Sequence, residues 1–263
     1  MRNWKDIAVA EFFGTFILVF FGTGVIAAAV LTQAQVGLWQ VAAVWGIGVA
    51  LGIYVSVEQS GAHLNPAVTL ALTFWRRACD WRTAALYMLA QLAGAITAGA
   101  VVFGLSHEMI TRFEARNNIF RGLPGSERSA MMFGEYFPNP AFRGVVGDIL
   151  AGVGIWEAFF AEALGAGLLV FMIFAVTRAP ISESIKPILI GATVAVIISV
   201  VAPITQAGFN PARDLGPRLV SLATGWGSIA IPGPHNGFWI YIIAPFIGGL
   251  IGGGLHARLL DEE

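Results

Sequence analysis

Charge is scarce in this chain. Only 12% of its 263 residues are Asp, Glu, Lys or Arg, against about a quarter in an ordinary soluble domain. With 57% hydrophobic residues and a mean hydropathy of +0.75, the deficit places the chain in a bilayer. The few charges nearly cancel, to −1, so there is no basic face and nucleic acid is not an expected partner. Cysteine is almost absent. Cys79 alone cannot form an intrachain disulfide, and it leaves the redox compartment open. The four histidines, His63, His107, His235 and His256, are scattered, and no HxxxH or CxxC spacing occurs, so neither a metal site nor a cofactor is expected. An enzyme, such as an intramembrane hydrolase, would need a nucleophile–base pair or a metal spacing that the chain lacks.

Long apolar runs are what the chain has. A span needs about 20 such residues, and six segments qualify, roughly 7–31, 38–57, 83–106, 155–177, 185–206 and 238–260. The first follows Met1-Arg2-Asn3-Trp4-Lys5 like a signal peptide, but its length and Glu11 make it a first transmembrane helix. Between the spans, Asn65-Pro66-Ala67 occurs again as Asn210-Pro211-Ala212. Asn is a strong N-cap, and Pro suits the next position, where an N–H has no helical partner. Each triplet therefore starts a short helix, about 66–76 and 211–223. At about 1.5 Å per residue these are some 16–20 Å long, half of a hydrocarbon core near 30 Å. Entering from opposite faces, their N-termini would meet at the midplane.

Other features repeat as well. Ala10-Glu11-Phe12 is matched by Ala161-Glu162-Ala163, with the glutamates 54 and 48 residues before their Asn. Three spans per half is an odd number, so the second half is inverted. The expected organisation is a single domain, 1–263, with inverted repeats of about 7–106 and 155–260 joined by an extracellular connection, 107–154. That connection holds five arginines and five acids, and at this length a surface helix is expected within it. Placing both termini in the cytoplasm collects Arg2, Lys5, Arg76, Arg77, Arg82, Arg178, Lys186 and Arg258 there, and none on the short outer connection from Thr32 to Gly37. The localisation expected is a cell inner or plasma membrane. Gly48-x-x-x-Gly52, Gly248-x-x-x-Gly252 and Gly249-x-x-x-Gly253 read as faces for close helix crossing. Trp39, Trp75, Trp81, Trp156 and Trp239 sit near span ends as interfacial anchors, which Trp45 does not.

Two opposed half-helices present two positive dipole ends, about +0.5 charge each. Asn65 and Asn210 cap them through their oxygens, leaving amide N–H groups to donate into whatever lies between. Such a point suits a hydroxyl or water oxygen and repels cations; a dry contact between capped ends is the plainer alternative, which the duplication disfavours. The segments ahead of the caps, with Gly61, Ala62 and His63 in one and Gln206, Ala207 and Gly208 in the other, are extended links. Non-helical backbone at that depth lines water or is buried in protein, so their carbonyls form a candidate ladder. Glu11 and Glu162 either carry protons or brace the links by accepting backbone N–H bonds; with no second titratable group in either span, bracing is favoured. Arg213, one turn into its half-helix, and Trp45 fall in the outer half. Together they offer donors and an apolar face, though Trp45 also fits plain packing. Asp214 is placed to pair with Arg213, or with Arg218 at i+4.

At these residues, Ser60-Gly61-Ala62-His63-Leu64-Asn65-Pro66-Ala67-Val68-Thr69 and Gly208-Phe209-Asn210-Pro211-Ala212-Arg213-Asp214, the chain resembles the major intrinsic protein family, the aquaporins and glycerol facilitators, over nearly its whole length. The resemblance implies an all-α membrane fold, a right-handed bundle of six spans plus two half-helices with one pore per subunit in a homotetramer. It implies a passive channel for glycerol, water and other small neutral solutes, in contact with membrane lipid. The family's outer filter falls on Trp45, Ile198, Ala207 and Arg213. Tryptophan at the first position resembles the glycerol-conducting branch, as do Asp214, Arg218 and Pro245. Three residues depart from that branch: Ile198 stands where bacterial glycerol facilitators have glycine, Ala207 where they have a second aromatic, and Phe246 where they have an aliphatic residue. The one-aromatic filter is similar to that of nodulin-26-like channels, which also pass urea or metalloid acids. A water-selective channel and a proton-coupled secondary transporter using Glu11 and Glu162 are the alternatives.

Overall fold

The computed structural model describes residues 3–35, 37–142 and 147–260; Arg2 lies outside them. Helices α1 (Trp4–Thr32), α2 (Leu38–Ser56), the short α3 (Pro66–Arg76) and α4 (Trp81–Arg116) come first. A single turn, α5 (Glu127–Ala130), lies in the long connection. Helices α6 (Ile155–Arg178), α7 (Lys186–Thr205), the short α8 (Pro211–Ser221) and α9 (Ile240–Leu259) follow. Among the described residues there is no strand, and six helices are long and apolar enough to cross a membrane. Trp39, Trp81 and Trp156 are about 60–70% exposed near helix ends, as interfacial anchors would be.

Packing pairs α1 with α4, α6 with α9, and α2 with α7. Small residues carry the close crossings. A Cβ on Gly248 or Gly252 would stand 1.9–2.0 Å from the backbone oxygens of Ala163 and Gly167, and one on Gly52 2.7 Å from that of Gly14. The short helices form as their caps dictate. Asn65 Oδ1 accepts from Ala67 N at 2.8 Å, and Asn210 Oδ1 from Ala212 N and Arg213 N at 3.0 and 3.1 Å. Each cap is worth about 1 kcal/mol.

The long connection differs from the expectation of a surface helix. Beyond the end of α4, its one separate α-helical turn among the described residues is followed by Met131, Met132, Phe133 and Tyr136, which are buried in the main core. Three latches explain the burial. Helix α4 continues ten residues past position 106, the expected end of its span, so Glu114 can bind Arg121 through 2.7–3.1 Å hydrogen bonds, with the guanidinium 4.2 Å over Trp226. Asn139 Nδ2 donates to Ala202 O at 2.7 Å, at the end of α7. Gln206 accepts from Tyr136 N and donates to Met131 O. Burial pushes the Tyr136 phenol up to about 12, so it stays neutral.

Candidate functional site

The two short helices meet N-terminus to N-terminus and are tied crosswise. Asn65 Nδ2 donates to Phe209 O at 3.0 Å, and Asn210 Nδ2 to Leu64 O at 2.9 Å. The amides are therefore not wholly free, as the sequence suggested. One N–H of each closes the junction, and the second remains to donate into the cavity that both residues line.

The links ahead of the caps are not simply extended. Ala62, Leu64, Gln206, Ala207 and Phe209 all have φ between 51° and 69°. Left-handed residues on either side of His63 and of Gly208 turn successive N–H groups to one side as a nest for an anion. Each nest holds a glutamate. His63 N and Leu64 N donate to Glu11 at 2.9 and 2.7 Å; Gly208 N and Phe209 N donate to Glu162 at 3.0 and 2.8 Å. In a trans peptide the carbonyl points opposite its N–H. The oxygens of Ala62, His63, Ala207 and Gly208 therefore face away from the glutamates, toward the cavity these residues line.

Several further contacts in the first half have a counterpart in the second. Ser60 Oγ donates to Glu11 at 2.5 Å, and Thr205 Oγ1 to Glu162 at 2.6 Å. Tyr87 Oη donates to Ser60 O, and Tyr241 Oη to Thr205 O. Gly14, three residues after Glu11, leaves room for Leu64, and Gly165, three after Glu162, leaves room for Phe209. Gln91 adds a fourth donor to Glu11, at 2.7 Å. The His63 ring stacks on Tyr87 at 4.2 Å and bonds Thr69 at 3.2 Å.

Two cavities meet at this site. The larger, about 670 Å³, is lined by Gly61, Ala62, His63, Asn65, Ala207, Gly208, Asn210 and Arg213 among others. The smaller, about 230 Å³, lies beside the 33–37 connection and includes Gln206. Trp45 and Ile198 line both, so they stand where the two join. The Arg213 guanidinium lies 4.2 Å from the Trp45 ring. All four expected filter residues thus line the larger cavity. Asp214, Arg218 and Pro245 line neither cavity; Pro245 is buried within α9.

Of the two pairings open to Asp214, the structure has the second. Arg218 donates to both its oxygens at 2.8 Å, while Arg213 forms its ion pair with Glu135. Glu135 comes from the long connection and is missed by sequence reasoning. The Asp214–Arg218 pair fixes its backbone: Glu135 N donates to Asp214 at 2.8 Å, and Arg218 Nη2 donates to Glu135 O. The only sequence hint is an acid amid the apolar run from Met131 to Phe137.

The sequence profile of the Major intrinsic protein family matches residues 1–256. The chain belongs to that family. Similar relatives include the glycerol uptake facilitator protein of Pseudomonas aeruginosa, 39% identical over 97% of this chain and 88% of the relative. The Escherichia coli K12 glycerol uptake facilitator protein is 36% identical over 98% and 89%, and the Citrobacter freundii propanediol uptake facilitator PduF 35% over 98% and 93%. The X-ray structure of the aquaglyceroporin from Plasmodium falciparum superposes with a TM-score of 0.82 at 27% identity, covering 98% of this chain and 97% of that one. As a member of the family with six apolar helices, the chain is an integral membrane protein and not an enzyme.

Proposed function

We propose that this chain is a passive channel for glycerol and similar small uncharged solutes, with some water, that excludes ions and protons. The observation that carries this reading is the pair of Asn-capped half-helices facing each other beside a passage walled by Trp45 and Arg213. Similarity to relatives named for glycerol and propanediol uptake supports a small polyol as cargo. A solute entering from outside lays its carbon face on the Trp45 indole and its hydroxyls toward Arg213. It exchanges hydration water for the carbonyls of Ala62, His63, Ala207 and Gly208, and its oxygens accept from Asn65 and Asn210. The opposed dipole ends, about +0.5 charge each, repel a cation or a migrating proton. Ile198 and Ala207 make the remaining walls aliphatic, so Trp45 and Arg213 carry the discrimination.

Glu11 and Glu162 act as braces. Glu11 accepts from four donors and Glu162 from three, and a carboxylate so occupied has little capacity left for a proton relay. The halves 7–106 and 155–260 form inverted repeats of one channel domain, joined by the extracellular connection 107–154. Both termini are cytoplasmic in a cell inner or plasma membrane, and four copies assemble within the lipid as the family resemblance implies. Trp45→Ala tests the filter. Proteoliposome swelling is expected to show entry of longer polyols, and an unchanged size cutoff would remove Trp45 from the filter.

A further inference from the structure

Gly22 on α1 lines neither cavity, yet it touches the filter from behind. A Cβ built on it would stand 2.0, 2.1 and 2.2 Å from Cζ3, Cη2 and Cε3 of Trp45, the outer edge of the six-membered ring. Ordinary carbon contacts lie at about 3.5–4.0 Å. Two residues along the same helix, a Cβ on Gly24 would meet nothing within 4 Å. The indole is held from two sides, its edge in the notch at Gly22 and its ring 4.2 Å from the Arg213 guanidinium carbon. Helix α2 has little room to back away from α1, because Gly46 already stands against Gly191 of α7.

We propose that Gly22 is a positioning residue for solute selection: by lacking a side chain it lets the Trp45 indole sit back against α1, and so sets the width of the passage at Trp45 and Ile198. This rests on the reading of Trp45 as a filter wall. A methyl group at position 22 forces the ring to move by about 1.5 Å to restore normal contact. With α1 behind it, the ring moves toward the passage. Alanine is itself a better helix former than glycine, so the consequence comes from this contact and not from α1.

The test is a double-mutant cycle in proteoliposomes, reading glycerol and water permeability for wild type, Gly22→Ala, Trp45→Phe and the double variant, with Gly24→Ala as control. Gly22→Ala is expected to lower glycerol permeability about tenfold, as overpacking of this size allows, and to lower the glycerol-to-water ratio. Gly24→Ala keeps both values. In the Trp45→Phe background the smaller ring clears the notch, and adding Gly22→Ala changes glycerol flux by less than about twofold. An unchanged or raised ratio in Gly22→Ala, or equal losses in both backgrounds, would overturn the proposal. The filter reading fails separately, through Trp45→Ala leaving the size cutoff unaltered.

Discussion

As a proposed filter residue, Arg213 has to serve the passage without turning it into an anion site. Its charge lies beside those of Glu135, Asp214 and Arg218, two positive and two negative, all buried. Removing one member of such a set leaves a charge uncompensated, and the result depends on which one is lost. Arg213→Val is expected to weaken discrimination against cations, seen as conductance in planar bilayers; an unchanged ion leak counts against its role. Glu135→Gln makes the opposite change. It leaves the guanidinium unpaired, and uptake of a small anion such as nitrate is expected to rise while cation exclusion persists. If anion uptake stays at the wild-type level, Asp214 alone balances Arg213.

The half-helices and their links are where the sequence was most legible. Asn-Pro at Asn65 and Asn210 specifies a cap and a first turn locally, so both starts are found at the expected residues. The brace reading of the glutamates came from the need of a carboxylate inside a span for donors and of exposed link N–H groups for acceptors, and the bonds of Glu11 and Glu162 to the links fit it. The left-handed residues Ala62, Leu64, Gln206, Ala207 and Phe209 were not legible, since none is glycine and Leu64, Gln206 and Phe209 are bonded to residues far away in the chain. Glu135 and the burial of the long connection were hidden for the same reason. Their partners, Arg213 and the Asp214–Arg218 pair, lie some 80 residues away, and no local pattern connects them. The brace reading makes its own prediction. Glu162→Gln replaces one of the two acceptor oxygens with an N–H donor, which then opposes the link donors. Apparent stability in detergent is expected to fall by about 1–3 kcal/mol. Glycerol flux in the fraction that folds should show no sensitivity to a pH gradient. A selective loss of proton-dependent uptake with stability unchanged would mean that Glu162 carries protons.

At the scale of the whole molecule, six spans enclose a passage that two half-helices interrupt and the long connection caps. The proposed reading couples solute to no gradient. In that reading the opposed dipoles set a barrier to cations, Trp45 and Arg213 set the size and polarity of what enters, and the backbone carbonyls replace water along the way. Transport of this kind needs binding that is weak at each of several sites, so that exit stays fast. A secondary transporter can also use broken helices and repeated halves, but it must alternate between two closed states. Glycerol uptake into proteoliposomes, followed by swelling over a wide concentration range with and without an imposed pH gradient, separates the two. The channel account predicts flux that rises in proportion to glycerol and ignores the gradient. Flux that saturates and depends on the proton gradient would contradict it.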